Sequence, residues 1–392
     1  MATTRIDISS VEQSDSSLTI GWSNGQFSVF HYIWLRDCCY CEHCGDCYSS
    51  LRRYVPGLDT LRPRPVSLSW SESALQITWD VKNHRSTYAP DWLYANRYDT
   101  EAREARRAIT RTWDSTTDLS DTYFDFSDTD RDGAARLALH EHIISNGFAI
   151  VRGGPAKADG VLTFAELVGE VTQSAYGAVF DLKPGSAAGT AGTTLMPVPP
   201  HSDEAFAYAP PGIEVLACIR PADTGGDSIL VDGVGIAHKL RAQNPESFQL
   251  LAQWNHHYVR FHPGKLNQHA YAPIIALDDD GEVSGIRLHT RASAPLDLPE
   301  DIMEDYLIAY HRLCALMMAP ENQLHLKLDA GDAIIFDNHR ALHARTEFSD
   351  RQRHLQICGV PREKFHESFR LLAQQLGEED TSNLVLRAGA CR

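Results

Sequence analysis

No apolar stretch in this 392-residue chain approaches the roughly 20 residues that a bilayer-spanning helix needs. The N-terminal Met1-Ala2-Thr3-Thr4-Arg5-Ile6-Asp7 also lacks the apolar run of a secretory signal. Positive charge is scarce, with 36 Lys and Arg against 52 Asp and Glu, for a formal net charge of -16. That balance repels phosphate backbones and anionic lipid, and no local basic patch offsets it. Nucleic acid and membrane are therefore not expected partners. What is present is an ordinary globular composition, 43% hydrophobic and 22% charged, long enough for two domains.

Cysteine is thinly spread except in one place. Five of the nine lie between Cys38 and Cys47, while Cys218, Cys314, Cys358 and Cys391 are scattered. Without a secretory signal this pattern predicts a reducing, cytoplasmic compartment, where a dense cluster holds metal rather than disulfides. Cys41 and Cys44 form one C-x2-C knuckle, and Cys44 and Cys47 another, spacing that suits tetrahedral Zn(II). Spacing alone leaves open which cysteines bind and whether His43 joins them. The cluster sits between two hairpin signals: residues 18–22 and 26–30 flank an Asn24-Gly25 turn, and residues 66–70 alternate with 75–79. The first hundred residues thus read as a small β module. The boundary falls near residue 100, followed by a charged, helix-compatible connector over 103–111.

Beyond it, helices are expected over residues 134–145, 164–171, 236–251, 306–318 and 362–376. Strands are expected over 147–152, 213–219, 324–328, 333–336 and 355–360, with a turn opening another strand within 225–232 and several more before Leu288. Many short strands with few helices indicate a β-barrel or jelly roll. Residues 174–200, rich in Gly, Ala, Thr and Pro, read as a lid, and 377–392 as a flexible tail.

His201-Ser202-Asp203 carries the chemistry. In a strand, residues i and i+2 share a face, so His201 and Asp203 can reach one ion together. Two His and one carboxylate with open positions opposite suit a non-haem Fe(II) oxygenase. The third ligand lies in Asp337-Asn338-His339-Arg340-Ala341-Leu342-His343, with His339 and His343 both eligible.

From Trp34-Leu35-Arg36-Asp37 to Arg353-His354-Leu355-Gln356 the chain resembles the γ-butyrobetaine hydroxylase and trimethyllysine hydroxylase group of the taurine-dioxygenase-like superfamily. The resemblance implies a mostly β fold with flanking helices (α+β). A small zinc-binding domain over residues 1–100 would precede a double-stranded β-helix (jelly-roll) catalytic domain over 101–392. It implies an Fe(II)- and 2-oxoglutarate-dependent dioxygenase that consumes O2 and releases succinate and CO2. His201, Asp203 and His343 look like the iron ligands, His343 being chosen because the family's distal His follows an Asp-Asn-x-Arg-x-Leu run. Arg353 looks like the grip on the distal carboxylate of 2-oxoglutarate, assisted by Ser228. Cys39, Cys41, Cys44 and His84 match the family's zinc ligands, leaving Cys38 and Cys47 as extra thiols. A carboxylate at Asp203 disfavours halogenation, and a homodimer is the family expectation.

The substrate positions depart from the family. Tyr176 and Phe180 stand where it has aromatics, but Thr193 and Gly359 replace cage residues that would hold a trimethylammonium group. Ala191 and Thr290 stand where the family uses Asn on the substrate carboxylate, with His289 and Arg291 as polar neighbours. Glu204 is placed to pair with a substrate ammonium. The expected substrate is a small polar molecule of amine or amino-acid type. Three alternatives remain: a carnitine-pathway hydroxylase whose cage uses Tyr208 or Tyr258, a non-catalytic metal-binding sensor, and a zinc hydrolase.

Overall fold

The computed structural model describes residues 6–45, 51–57, 60–174, 176–185 and 191–390. Cys47, in the second knuckle, and Cys391 lie outside them, as do parts of the 174–200 segment. The chain divides into two compact units, Met1–Arg107 and Ala108–Arg392.

In the first unit β1 (Ile8–Gln13), β2 (Ser17–Trp22) and β3 (Phe27–His31) form one antiparallel sheet. Gly25, at φ 85, makes the β2–β3 turn that Asn24-Gly25 signalled. After α1 (Tyr32–Asp37), a second sheet comprises β4 (Pro65–Trp70), β5 (Leu75–Trp79) and β6 (Arg85–Tyr88). Trp22, Phe30, Ile77, Trp79 and Tyr88 from these strands share one core. The short helices α2 (Pro90–Ala95) and α3 (Thr100–Ala105) follow. The connector expected to be helical through residue 111 is helical only in α3.

The second unit opens with β7 (Tyr123–Asp125), α4 (Phe126–Arg131), α5 (Gly133–Asn146), β8 (Phe148–Arg152) and α6 (Gly160–Ala165). The helix expected over 164–171 therefore starts earlier and gives way to turns over 166–168, ahead of Gly169 at φ 154. Residues 174–200 are not simply a lid: they supply β9 (Phe180–Leu182) and most of β10 (Val198–His201). Next come β11 (Ile213–Arg220), β12 (Ser228–Asp232), α7 (Gly233–Gln243) and α8 (Pro245–Gln253). The single helix expected over 236–251 is thus broken at Asn244, which leaves the helical region (φ -146) immediately before Pro245. Two hairpins follow, β13 (Asn255–His262) with β14 (Leu266–Pro273), and β15 (Ile275–Leu277) with β16 (Val283–Ile286). The unit closes with α9 (Glu300–Met318), β17 (Leu324–Leu326), β18 (Ala333–Asp337), β19 (Ala341–Arg345), β20 (His354–Val360), α10 (Arg362–Gln375) and α11 (Glu379–Ser382). Among the described residues no helix is long and apolar enough to cross a membrane.

Two sheets carry the unit, a six-stranded one ordered β7-β8-β18-β11-β20-β9 and a four-stranded one ordered β10-β19-β12-β17. Strand alternation sorts the six-stranded sheet's residues into two cores. Ala149, Val151, Val215, Ala333, Ile335 and Val360 pack with α5, α6 and α10 on one face. Phe148, Ile150, Leu216, Ile334, Phe336 and Ile357 face Leu230, Leu324 and Leu326 of the four-stranded sheet on the other. Both faces are buried, so these strands read as continuous apolar runs rather than alternating ones.

The turn joining β18 to β19 links the two sheets and is held by charge. Arg340 donates from Nε and Nη2 to the two Asp232 carboxylate oxygens, each at 3.1 Å, with side chains only 6% and 1% exposed. Asp337 pairs with Arg362 at 2.6 Å. The tail is likewise tied down as far as Ala390, whose N–H donates to His339 Nδ1 and whose carbonyl accepts from Arg287. The sequence expectation of a loose tail is therefore wrong for 377–390.

Asp232→Ala should strand the Arg340 charge in the interior and cost about 3–5 kcal/mol. A urea titration reads this as a lower midpoint at unchanged slope; a midpoint within experimental error of the parent would show that the pair does not hold the turn.

Candidate active site and metal centres

The strand register builds the first centre. In the antiparallel pair β10–β19, His201 stands directly opposite His343, so both rings leave the same face. That face is the inner one, since β19 alternates between Ala341 in the inter-sheet core and Leu342 in the outer core. Pro199 and Pro200 cannot donate to a ladder, which suits β10 to its edge position.

Asp203 arrives by a different route from the i, i+2 spacing of one strand. The strand ends at His201, and the chain turns through Asp203 and Glu204, the latter at φ 47. Asn338, fully buried, fixes this turn: its Oδ1 accepts from Asp203 N–H at 2.7 Å, and its Nδ2 donates to the carbonyls of Asp203 and Pro211. Asp203 then lies 3.3 Å from His201 Nε2 and 3.6 Å from His343 Nε2. The three ligand atoms fall within 4.8 Å of one another. His339, the rival for the third place, points elsewhere, with Nε2 near the Pro210 carbonyl at 3.2 Å.

The electrostatics suit a cation. Burial alone would raise the Asp203 carboxyl, but His343 and His201 override it and hold it well below the usual range. Burial, reinforced by His201, pushes His343 down to about 3, keeping the ring neutral. The contact of His201 Nδ1 with the Pro199 carbonyl, at 3.0 Å, assigns the N–H to that nitrogen and leaves Nε2 as the donor pair. His289 stacks edge-on against His201 at 4.7 Å and bonds the Ser202 carbonyl, bracing the turn. Two neutral imidazoles and one carboxylate fit a divalent first-row ion with open coordination positions.

These residues form one wall of a cavity of about 250 Å³. Ser228 and Arg353 line it too. Arg353 is 3% exposed, donates to the Gly226 carbonyl at 3.1 Å and lies over the Phe348 ring; burial draws its pKa down to about 10. Tyr176, Phe180, Glu204, Ala191, Arg291 and Gly359 line the cavity as well, whereas Thr193 and Thr290 lie outside its wall, in short 3-10 turns. Tyr208 is 97% exposed and Tyr258 is buried against the Arg287 carbonyl, so neither replaces a missing cage ring.

Four aromatic or charged residues of the cavity wall are not among the residues singled out from the sequence. Phe206 adds an aromatic wall, and Arg260 enters from β13, donating to the Tyr176 hydroxyl at 3.1 Å. Arg345 holds the carbonyls of Gly192, Thr194 and Met196 and so ties that loop to β19. Glu214 is 4% exposed on β11. Its burial, with Asp203 and Glu204 nearby, pushes its carboxyl well above the usual range. Only Glu214 left a signal, as the single charge within Ile213-Glu214-Val215-Leu216-Ala217-Cys218-Ile219.

The second centre lies within the first unit. Cys39, Cys41, Cys44 and His84 converge, with the three sulfurs 3.4, 3.7 and 3.6 Å from His84 Nε2. Tetrahedral zinc, with Zn–S about 2.3 Å and Zn–N about 2.05 Å, requires S···N edges of about 3.6 Å. The donor set fits zinc. Arg36 donates to Cys44 Sγ at 3.3 Å and lies over the Tyr54 ring. Cys38 and His43 are not part of this group among the described residues.

Two family profiles match the chain. The profile of the family "Taurine catabolism dioxygenase TauD, TfdA family" matches residues 107–358, and "Gamma-butyrobetaine hydroxylase-like, N-terminal" matches residues 9–94. A gamma-butyrobetaine dioxygenase of Pseudomonas sp. (strain AK-1) is 31% identical over 358 residues, covering 89% of this chain and 92% of that protein. The mitochondrial trimethyllysine dioxygenase of Rattus norvegicus is 28% identical over 342 residues, covering 84% and 79%. Among solved structures, the non-heme iron oxygenase OrfP with Fe, succinate and (3R,4R)-dihydroxy-L-Arg matches 60% of this chain and 85% of its own at TM-score 0.48 and 17% identity.

Cys44→Ser should reduce bound zinc from about one per chain to near zero and loosen the first unit. Metal analysis with thermal melting checks this; retained zinc at an unchanged transition would exclude Cys44 as a ligand.

Proposed function

The chain belongs to the taurine catabolism dioxygenase TauD, TfdA family, and on that premise we propose that it hydroxylates an unactivated C–H bond of a small polar molecule of amine or amino-acid type. It is an oxidoreductase dependent on Fe(II), 2-oxoglutarate and O2. The observation that carries the reading is the convergence of His201, Asp203 and His343 on a cavity that also holds Arg353 and Ser228. When bound, iron supplies O2 activation coupled to the decarboxylation of 2-oxoglutarate to succinate and CO2.

The chain's own residues would bind and orient. His201, Asp203 and His343 hold the metal on one side and leave the cavity side open. Arg353, fixed by the Gly226 carbonyl and the Phe348 ring, presents a planar guanidinium to the distal carboxylate of 2-oxoglutarate. Ser228 adds a hydroxyl from the inner face of β12. The apolar inter-sheet core behind these groups excludes water. With Asp203 as a ligand, the position that a halogenating site reserves for halide is occupied. The two facing sheets support reading residues 108–392 as a double-stranded β-helix, and the Cys39, Cys41, Cys44 and His84 group supports a structural zinc in the first unit.

The relatives named above act on γ-butyrobetaine and trimethyllysine. Tyr176, Phe180 and Phe206 would offer rings to such a substrate, but Thr193 and Gly359 remove others, and Tyr208 and Tyr258 do not substitute for them.

Succinate release under Fe(II), 2-oxoglutarate and O2 should be stimulated by members of a panel of amines and amino acids. Vigorous conversion of γ-butyrobetaine to carnitine would assign the chain to the carnitine pathway instead. His343→Ala should lower this turnover by at least about a hundredfold and reduce bound iron; retained iron and turnover would exclude His343 as a ligand.

A further inference from the structure

Residues facing inward between the two sheets are apolar on most strands, yet β11 places Glu214 there, in phase with Leu216 and Cys218. Register sets its neighbours: Phe336 of β18 on one side and Gly359 of β20 on the other. Phe336 in turn packs on the His343 ring at 5.0 Å, so Glu214 stands on the wall beside the metal-binding histidines. Gly359 keeps the space next to it open. A Cβ there would lie 3.5 Å from Glu214 Oε1 and 3.2 Å from Pro211 Cβ. Both residues line the cavity.

A carboxyl in this setting is costly unless something bonds it. No described arginine, lysine or histidine forms an ion pair with Glu214, and the charges that act on it are the carboxylates of Asp203 and Glu204. Arg260 and Arg291 belong to the β13 hairpin and the turn at Thr290–Ala292 rather than to β11, and Arg291 feels the Asp203 carboxylate as well as the Arg260 charge. Glu214 thus faces the cavity without a cation of its own among the described residues, while Arg260 and Arg291 put positive charge elsewhere on the lining.

We propose that Glu214 is the receptor for the cationic end of the substrate, and that this end is a hydrogen-bond donor, a primary or secondary ammonium or a guanidinium, rather than a quaternary ammonium. The proposal rests on the dioxygenase reading of the same cavity and specifies its substrate class. An N–H donor satisfies a buried carboxylate's lone pairs directly, which methyl groups cannot do. A site built for that bond rejects the analogue lacking it far more strongly than a purely apolar pocket would. Arg260 and Arg291 suit a carboxylate at the other end, giving an amino-acid-like ligand.

The test is anaerobic calorimetric titration of the full chain loaded with Fe(II) and 2-oxoglutarate. The probes are 4-aminobutyrate, lysine and arginine, with γ-butyrobetaine as the quaternary counterpart of the first. At least one N–H-bearing probe should bind about tenfold or more tightly than γ-butyrobetaine. Glu214→Gln should weaken that probe by about tenfold or more while changing 2-oxoglutarate affinity by less than about twofold. Gly359→Leu, which fills the space beside the carboxyl, should exclude the same probe with 2-oxoglutarate binding intact, and this keeps the test decisive if the Gln variant does not fold. Preference for γ-butyrobetaine, failure of every N–H probe to bind, or indifference of the preferred probe to both substitutions would overturn the proposal while leaving the dioxygenase reading standing. Failure of the parent protein to bind 2-oxoglutarate would overturn both.

Discussion

Arg340 buries a guanidinium at the turn between β18 and β19, and a charge in that position must be neutralised where it sits. Asp232 does so from the end of β12, and the same carboxylate caps α7 through Val234 N–H and accepts from Trp113 N–H. Because β18 belongs to the six-stranded sheet and β19 to the four-stranded one, this pair fixes how the two sheets meet. The remaining turn residues extend the hold. Asp337 binds Arg362 at the start of α10, and Asn338 reaches across to the backbone of Asp203. A single short turn thereby positions both His343, three residues beyond Arg340, and the carboxylate that faces it.

The cavity opposite that turn departs from its surroundings. The interior between the sheets is closely packed hydrocarbon, and each polar group within it needs a specific partner. His201 and His289 have theirs in backbone carbonyls, and Arg345 and Arg353 in the carbonyls of their flanking loops. Asp203 and Glu214 face the cavity itself. On our proposals ligands complete their bonding, a metal for one and a substrate cation for the other. Polar side chains that face the cavity are therefore more informative about function here than the rings that line the same space.

In the first unit the same logic produces a different centre. Two three-stranded sheets pack around aromatic side chains, and the cysteine loop between them adds three sulfurs at tetrahedral spacing from His84. Burial pushes the Cys39 thiol up to about 12 in the absence of an ion, so a thiolate there would depend on a bound metal. Arg36 on α1 directs a positive charge at Cys44 and complements that thiolate charge.

Much of this was legible in order along the chain. The Asn24-Gly25 hairpin, the buried strands around residues 150, 215 and 335, and the grouping of His201 with Asp203 follow from turn chemistry, apolar runs and short spacing, which are local properties. The family resemblance singled out His343, Arg353, Cys39, Cys41, Cys44 and His84. The strands that carry His201 and His343 gave no such signal. Val198-Pro199-Pro200-His201 holds two residues that cannot join a ladder, and Ala341-Leu342-His343-Ala344-Arg345 has no β-forming pattern, so both are strands only because they pair with each other and with β12. Cavity membership was equally non-local. Thr193 and Thr290 adjoin lining residues in the chain without lining the cavity themselves, while Glu214, Phe206, Arg260 and Arg345 reach it from four separate places in the chain. The sequence by itself determined which residues had the chemistry to bind metal, because that depends on side-chain type. Which of them face one another was decided by strand register and by a buried ion pair, interactions between segments more than a hundred residues apart.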